Sequence, residues 1–138
     1  MGIVLDTSVL VAAERRTVRF EALLESLGEE PVAVAAITAS ELLHGCRRAG
    51  DPGVRARRSA FVDALLDALP VLPFGLPEAR RHAELWAELS CTGSAIGPHD
   101  LLIAATALAQ GYSLVTLNQR EFGRVPGLRL VATERYIS

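Results

Sequence analysis

The sequence contains no lysine; all fourteen of its basic residues are arginines. That absence excludes a P-loop, whose GK[ST] lysine holds phosphate. It also excludes Schiff-base chemistry and a lysine-dependent phosphoacceptor receiver. Cysteine is nearly absent as well. Cys46 and Cys91 lie far apart without metal-ligand spacing, so both read as buried free thiols. His44, His82 and His99 are scattered and form no metal-spaced pair, and His99 reads as a capping or surface residue. No charge-free apolar run approaches the ~20 residues that span a bilayer. The opening apolar stretch has no basic region before it and is broken by Asp6, so no signal peptide is expected. These absences together suggest a cytoplasmic protein with no membrane contact.

Half of the 138 residues are apolar and 22% are charged, which suits a globular core, and the length suits one domain over 1–138. The net charge of −2 makes the chain no polycation, so nucleic acid would have to meet local patches. Short apolar runs at 2–6, 31–36, 70–74, 112–117 and 128–132 read as strands. Helical patterns cover 7–16, 18–28, 38–50, 51–69, 77–90 and 95–111, with a turn or short helix after 117 and a Gly/Ser loop at 91–97. Strands alternating with helices predict an α/β fold with a short, mostly parallel sheet of four or five strands surrounded by helices.

The segment AIGPHDLLIAATALAQG, 95–111, is apolar almost all round yet carries Asp100 near its start. Three other acids sit at comparable places, and each has a structural explanation. Asp6 follows the first strand and could be an N-cap. Thr38-Ala-Ser-Glu41 matches a capping box. Asp100 falls where a helix dipole favours negative charge, and Asn118-Gln-Arg-Glu121 is again cap-like. Together they suggest more. Acids at the C-terminal ends of parallel strands share the edge where α/β folds bind ligands. Pooled carboxylates repel one another, and a hard divalent cation relieves that repulsion. Mg²⁺ takes oxygen ligands, needs few carboxylates and requires no histidine or thiolate.

Four blocks, LDTSVL, ITASELLHG, IGPHDLLIAATALAQG and LVTLNQREFGRVPGL, occur in that order. They resemble the PIN-domain ribonucleases, and more closely the VapC-type toxins of bacterial toxin–antitoxin pairs, over nearly the whole chain. The resemblance implies a three-layer α/β/α fold and Mg²⁺-dependent (or Mn²⁺-dependent) hydrolysis of RNA phosphodiesters. It implies that Asp6, Glu41 and Asp100 hold the metal. At the fourth position many relatives carry an aspartate where this chain has Asn118. Glu121 is therefore taken as the fourth acid, with Asn118, Thr116 and Ser8 in the outer shell and Thr7 supplying a further hydroxyl. The resemblance also implies a VapB-type antitoxin partner and a homodimer.

The arginines at 47, 48, 55, 57 and 58 form a charged face that could also meet phosphate. Val18, Phe20, Leu23, Leu24, Leu42 and Leu43 exceed what one core face of the early helices needs, and the resemblance places an antitoxin helix in a groove there. Other enzymes fit poorly. Ser8 stands where a haloacid-type phosphatase needs a second aspartate, and DTSVLV replaces the GxGxxG of a dinucleotide-binding fold. GSAIG lacks the setting of a nucleophile elbow. The competing reading is a catalytically silent PIN-like module that binds RNA or protein, which the uncharged Asn118 would suit.

Overall fold

The computed structural model describes residues 1–137. Five short strands are present: β1 (Ile3–Leu5), β2 (Val32–Ala35), β3 (Val71–Leu72), β4 (Ser113–Val115) and β5 (Leu130–Val131). All pair in parallel, in the order β3-β2-β1-β4-β5. The seven helices described are α1 (Thr7–Glu14), α2 (Phe20–Ser26), α3 (Ala36–Arg48), α4 (Pro52–Ala68), α5 (Leu76–Thr92), α6 (Pro98–Gln110) and α7 (Gln119–Phe122). A 3₁₀ turn at Glu134–Tyr136, which the sequence patterns did not suggest, ends the described chain.

Side-chain alternation along each strand divides the interior into two cores. Ile3 and Leu5 of β1, Val34 of β2 and Val115 of β4 point into a core shared with α1 to α4. Val4, Ala35 and Leu114 point the other way, against α5, α6 and Phe122. Helices thus cover both faces of the sheet, which explains why its strands read as unbroken apolar runs. The expected three-layer α/β/α arrangement is what forms, with five strands and every pairing parallel.

α6 is apolar all round because it is enclosed. Ile103, Ala104, Ala105 and Ala107 are fully buried between the sheet and α5. Alanine favours the helix and lets it lie close to its neighbours. Gly111 ends it at φ +71°, a left-handed cap that glycine adopts without strain. At that same end of the hairpin, Glu78 near the start of α5 accepts from Gln110 at the end of α6 at 2.8 Å. The two helices therefore run antiparallel. Because α6 ends at the foot of β4, it begins at the sheet's C-terminal edge, bringing Asp100 there.

Several local expectations are corrected. α5 continues through Cys91 and Thr92 to a left-handed cap at Gly93, so the loop starts later than 91. Cys46 is buried as expected, but Cys91 is exposed at that helix end. α3 begins at Ala36, two residues early, with no side-chain cap. Thr38 and Glu41 are then helix-interior residues one turn apart, not a capping box. Asp6 and Asn118 occupy N-cap positions, yet neither side chain makes a cap hydrogen bond. Asp51, by contrast, caps α4 by accepting from the Val54 amide at 2.9 Å, with Pro52 in the first turn.

Candidate active site

β1 is the central strand, with β2 on one side and β4 on the other. Chain connections leave it in opposite directions, which opens a crevice at its C-terminal end. Asp6 is the residue that follows β1 and is buried there. Two hydroxyls, Ser8 Oγ and Thr116 Oγ1, each donate to its Oδ2 at 2.7 Å. Ser8 in turn accepts from the Leu117 amide at 3.1 Å, and Thr116 from the Asn118 amide at 2.9 Å. Both hydroxyl contacts fall on Oδ2 and leave Oδ1 free of them.

Glu41 reaches the same edge from α3, the helix that follows β2. Thr7 Oγ1 donates to its Oε1 at 2.7 Å and lies 3.0 Å from the buried Thr38 Oγ1. His99 Nδ1 lies 3.2 Å from its Oε2. His99 is exposed, as expected of a surface residue, but it also borders the site.

Glu121 arrives on α7. Its Oε1 accepts from the Gly97 amide at 2.7 Å and its Oε2 from Asn118 Nδ2 at 2.9 Å. The Gly97 amide, then Asn118, hold its pKa below the ordinary glutamate value, so it remains ionised. Asn118 therefore helps to orient Glu121. Its Nδ2 is also 3.5 Å from Asp100 Oδ2, too long for a strong hydrogen bond.

Asp100 is the electrostatic centre. Burial first, then the charges of Asp6, Glu121 and Glu41, push its pKa up to about 6. All four carboxylates thus share one field. Among the described residues, neither Asp6, Asp100 nor Glu121 has an arginine within ion-pair distance. The oxygen-only donor set and this concentration of negative charge fit a hard divalent cation. The side chains are not closed on one, however. Among the described residues no three His, Cys, Asp or Glu groups are arranged to hold a metal ion. Glu41 and Glu121 each have both oxygens hydrogen-bonded, whereas Asp6 Oδ1 and the Asp100 carboxylate are the more available donors.

Sequence patterns alone did not reveal two contributors. Thr38 looked like a cap, and Gly97 acts only through its backbone amide, which side-chain chemistry cannot signal. The expected arginine face is partly committed elsewhere. Arg58 pairs with Glu14 at 3.4 Å, and Arg55 donates through Nε and Nη2 to the Ala49 carbonyl. Of the surplus apolar residues, Val18, Leu23 and Leu42 are buried, while Leu43 is 46% exposed. A groove of about 280 Å³ is lined by α1, α3 and α4 rather than α2, with Glu41 among its lining residues.

The PIN-domain family model matches residues 3–128. A Ribonuclease VapC1 from Rickettsia felis is 36% identical over 131 residues, 95% of this chain and 96% of the relative. A tRNA(fMet)-specific endonuclease VapC from Salmonella typhimurium is 33% identical, covering 76% of this chain and 77% of the relative. Among solved structures, VapBC2 from Rickettsia felis bound to a promoter DNA fragment superposes with a TM-score of 0.86 at 29% identity, covering 95% of this chain and 98% of that one. The VapBC-5 toxin–antitoxin structure from Mycobacterium tuberculosis gives 0.78 at 29% identity, covering 96% and 100%. Sequence motifs, α/β/α layers and relatives of matching length agree: this chain belongs to the PIN-domain family, in its VapC ribonuclease branch.

Proposed function

We propose that the chain is a Mg²⁺-dependent endoribonuclease, the toxin of a VapBC-type pair, acting in the cytoplasm. The observation that carries the reading is the convergence of Asp6, Glu41, Asp100 and Glu121 at the crevice beside β1, where burial and then the neighbouring acids raise Asp100 to about 6. Asp6 and Asp100 would hold the cation, with Glu41 and Glu121 completing its surroundings; Mn²⁺ could substitute. When bound, such a cation lowers the pKa of water and offsets charge gathering on a phosphodiester.

The chain's own residues prepare that chemistry. Ser8 and Thr116 hold Asp6 in one orientation through its Oδ2. Thr7 fixes Glu41, and Asn118 with the Gly97 amide fixes Glu121. Such supporting hydrogen bonds are worth roughly 10–100-fold in metal affinity or activity. The groove between α1, α3 and α4 opens next to Glu41 and carries Arg15, Arg48 and Arg58. We place a segment of a VapB-type antitoxin there, where it would cover the acids. A homodimer is part of the same reading, and light scattering of the purified protein checks it.

The decisive test is cleavage of RNA with Mg²⁺ and with EDTA. Wild type should cut only with the metal. Asp6→Asn should lose cleavage by at least roughly 100-fold while its circular dichroism is unchanged. Folded wild-type protein that binds RNA without EDTA-sensitive cleavage would instead favour a silent binding module. An Asp6→Asn protein cutting at the wild-type rate would reject the site.

A further inference from the structure

An aromatic array on α5 and the segment before it is used neither by the core nor by the chemistry above. Trp86, the single tryptophan of the chain, is 61% exposed on α5. Its ring lies 5.6 Å from that of His82, which meets Phe74 edge-on at 5.7 Å. The inner face of α5 is already supplied by Leu85 and Leu89. An outward indole adds nothing to that packing, and large exposed apolar groups of this kind tend to mark contact sites.

Next to Trp86 is a cavity of about 370 Å³ between α5 and the start of α6, floored by Leu89, Ile96, Pro98 and Leu102, with the Ser90 hydroxyl on its wall. That volume lies at the lower end of small-ligand pockets. Pro98 and Leu102 flank Asp100 on the first turns of α6, so the cavity and the acids lie on two sides of one helix end, about 10 Å across. The strip between them carries a cation. Arg124 Nη1 donates to the carbonyl of Ala95, a cavity residue, at 3.2 Å, and the same guanidinium acts electrostatically on Glu121.

A concave apolar slot with a ring on its wall suits a planar base, since single-stranded RNA is gripped by stacking on aromatic side chains. A positive charge between the slot and the acids suits the backbone phosphate joining base to cleavage point. A contact between two copies of the chain would require neither the concavity nor the guanidinium at its rim. We infer that this cavity receives one unstacked nucleobase of the RNA, a nucleotide or two from the cut, with Trp86 as the stacking surface and Arg124 on the intervening phosphate. The inference rests on the ribonuclease reading and adds a specificity-determining subsite to it.

Trp86 fluorescence reads the cavity directly, because no other tryptophan contributes. Random-sequence RNA dodecamers added in EDTA, where strands stay intact, should quench it saturably, and Arg124→Ala should weaken that binding. With Mg²⁺, Trp86→Ala should raise KM by roughly 10-fold with kcat within about twofold. Sequencing the cut ends should show a base preference near the cleavage point that flattens in Trp86→Ala and largely returns in Trp86→Phe. Absence of quenching, or a folded Trp86→Ala protein with wild-type KM and end profile, overturns the inference. So does a Trp86→Ala protein whose only change is dissociation of a dimer, which would make the face a contact between copies. Saturable quenching without metal-dependent cleavage would remove the ribonuclease reading and leave the base subsite standing.

Discussion

Asp100 is held at a cost to stability by the residues around it. Its carboxyl is raised from 3.8 to about 6 by burial and by three neighbouring acids, so ionising it in the folded state is unfavourable. The folded protein therefore holds a proton that the unfolded chain releases near pH 4. The resulting stability is fully present below that pH and is lost as pH rises through about 6. The shift corresponds to about 3 kcal/mol at 1.36 kcal/mol per unit, which partial exposure reduces to about 1 kcal/mol. In EDTA, Asp100→Asn should thus be more stable than wild type by about that amount at pH 7.5 and no different at pH 3. Thermal unfolding across that range checks it, and a variant less stable at pH 7.5 contradicts the repulsion. The same residue shows the reach of sequence reading. Its position at a helix start was legible from Gly97-Pro98, but its protonation depends on charges supplied by β1, α3 and α7, which local pattern cannot sum.

Among the elements, the α5–α6 hairpin carries Asp100, one of the four acids. Glu78 joins its open ends by accepting from the Gly75 amide at 2.9 Å and from Gln110 at 2.8 Å. The Gly75 amide is the main reason its pKa lies below the ordinary glutamate value, with Gln110 assisting against the opposing effect of burial. Its stabilisation is therefore present above the ordinary carboxylate value and lost as pH falls through the lowered one. Glu78→Ala should cost about 1–3 kcal/mol at pH 7 by leaving two donors unpaired, and less at pH 2. Urea denaturation at the two pH values measures the difference; an equal loss at both would remove the charge from the explanation. Helices of this length announce themselves by period and by glycine stops. Their partners do not: nothing in the spacing of Glu78 and Gln110 indicates that they meet across 32 residues.

For the whole molecule, repulsion among the acids means that the metal-free fold sits below its attainable stability. A cation that binds only the folded state adds stability by mass action, ~2.7 kcal/mol at one hundred times its dissociation constant. Mg²⁺ should therefore raise the melting temperature of wild type, with much less effect on a protein carrying both Asp6→Asn and Asp100→Asn. A melting temperature unmoved by millimolar Mg²⁺ or Mn²⁺ in both proteins would argue against a metal at these residues. Long-range placement explains why the site holds together at this scale. The sheet order β3-β2-β1-β4-β5 brings residues 6, 41, 100 and 121 to one edge, although their segments are separated by helices packed on both faces.

Sequence by itself determined the class of fold, because alternating apolar strands and amphipathic helices can bury their surfaces in few ways. It also determined which acids were candidates, since buried apolar segments carry a carboxylate only for a reason. Tertiary structure alone decided what each acid touches. Asp6, Glu41 and Glu121 could all have been local caps, and they are instead bonded to Thr116, Thr7 and Gly97 across 110, 34 and 24 residues. It also decided that Trp86 faces outward on α5 rather than inward with Leu85. Capping follows from neighbours in the chain, whereas charge repulsion, cavities and exposed rings follow from neighbours in space, and only folding chooses those.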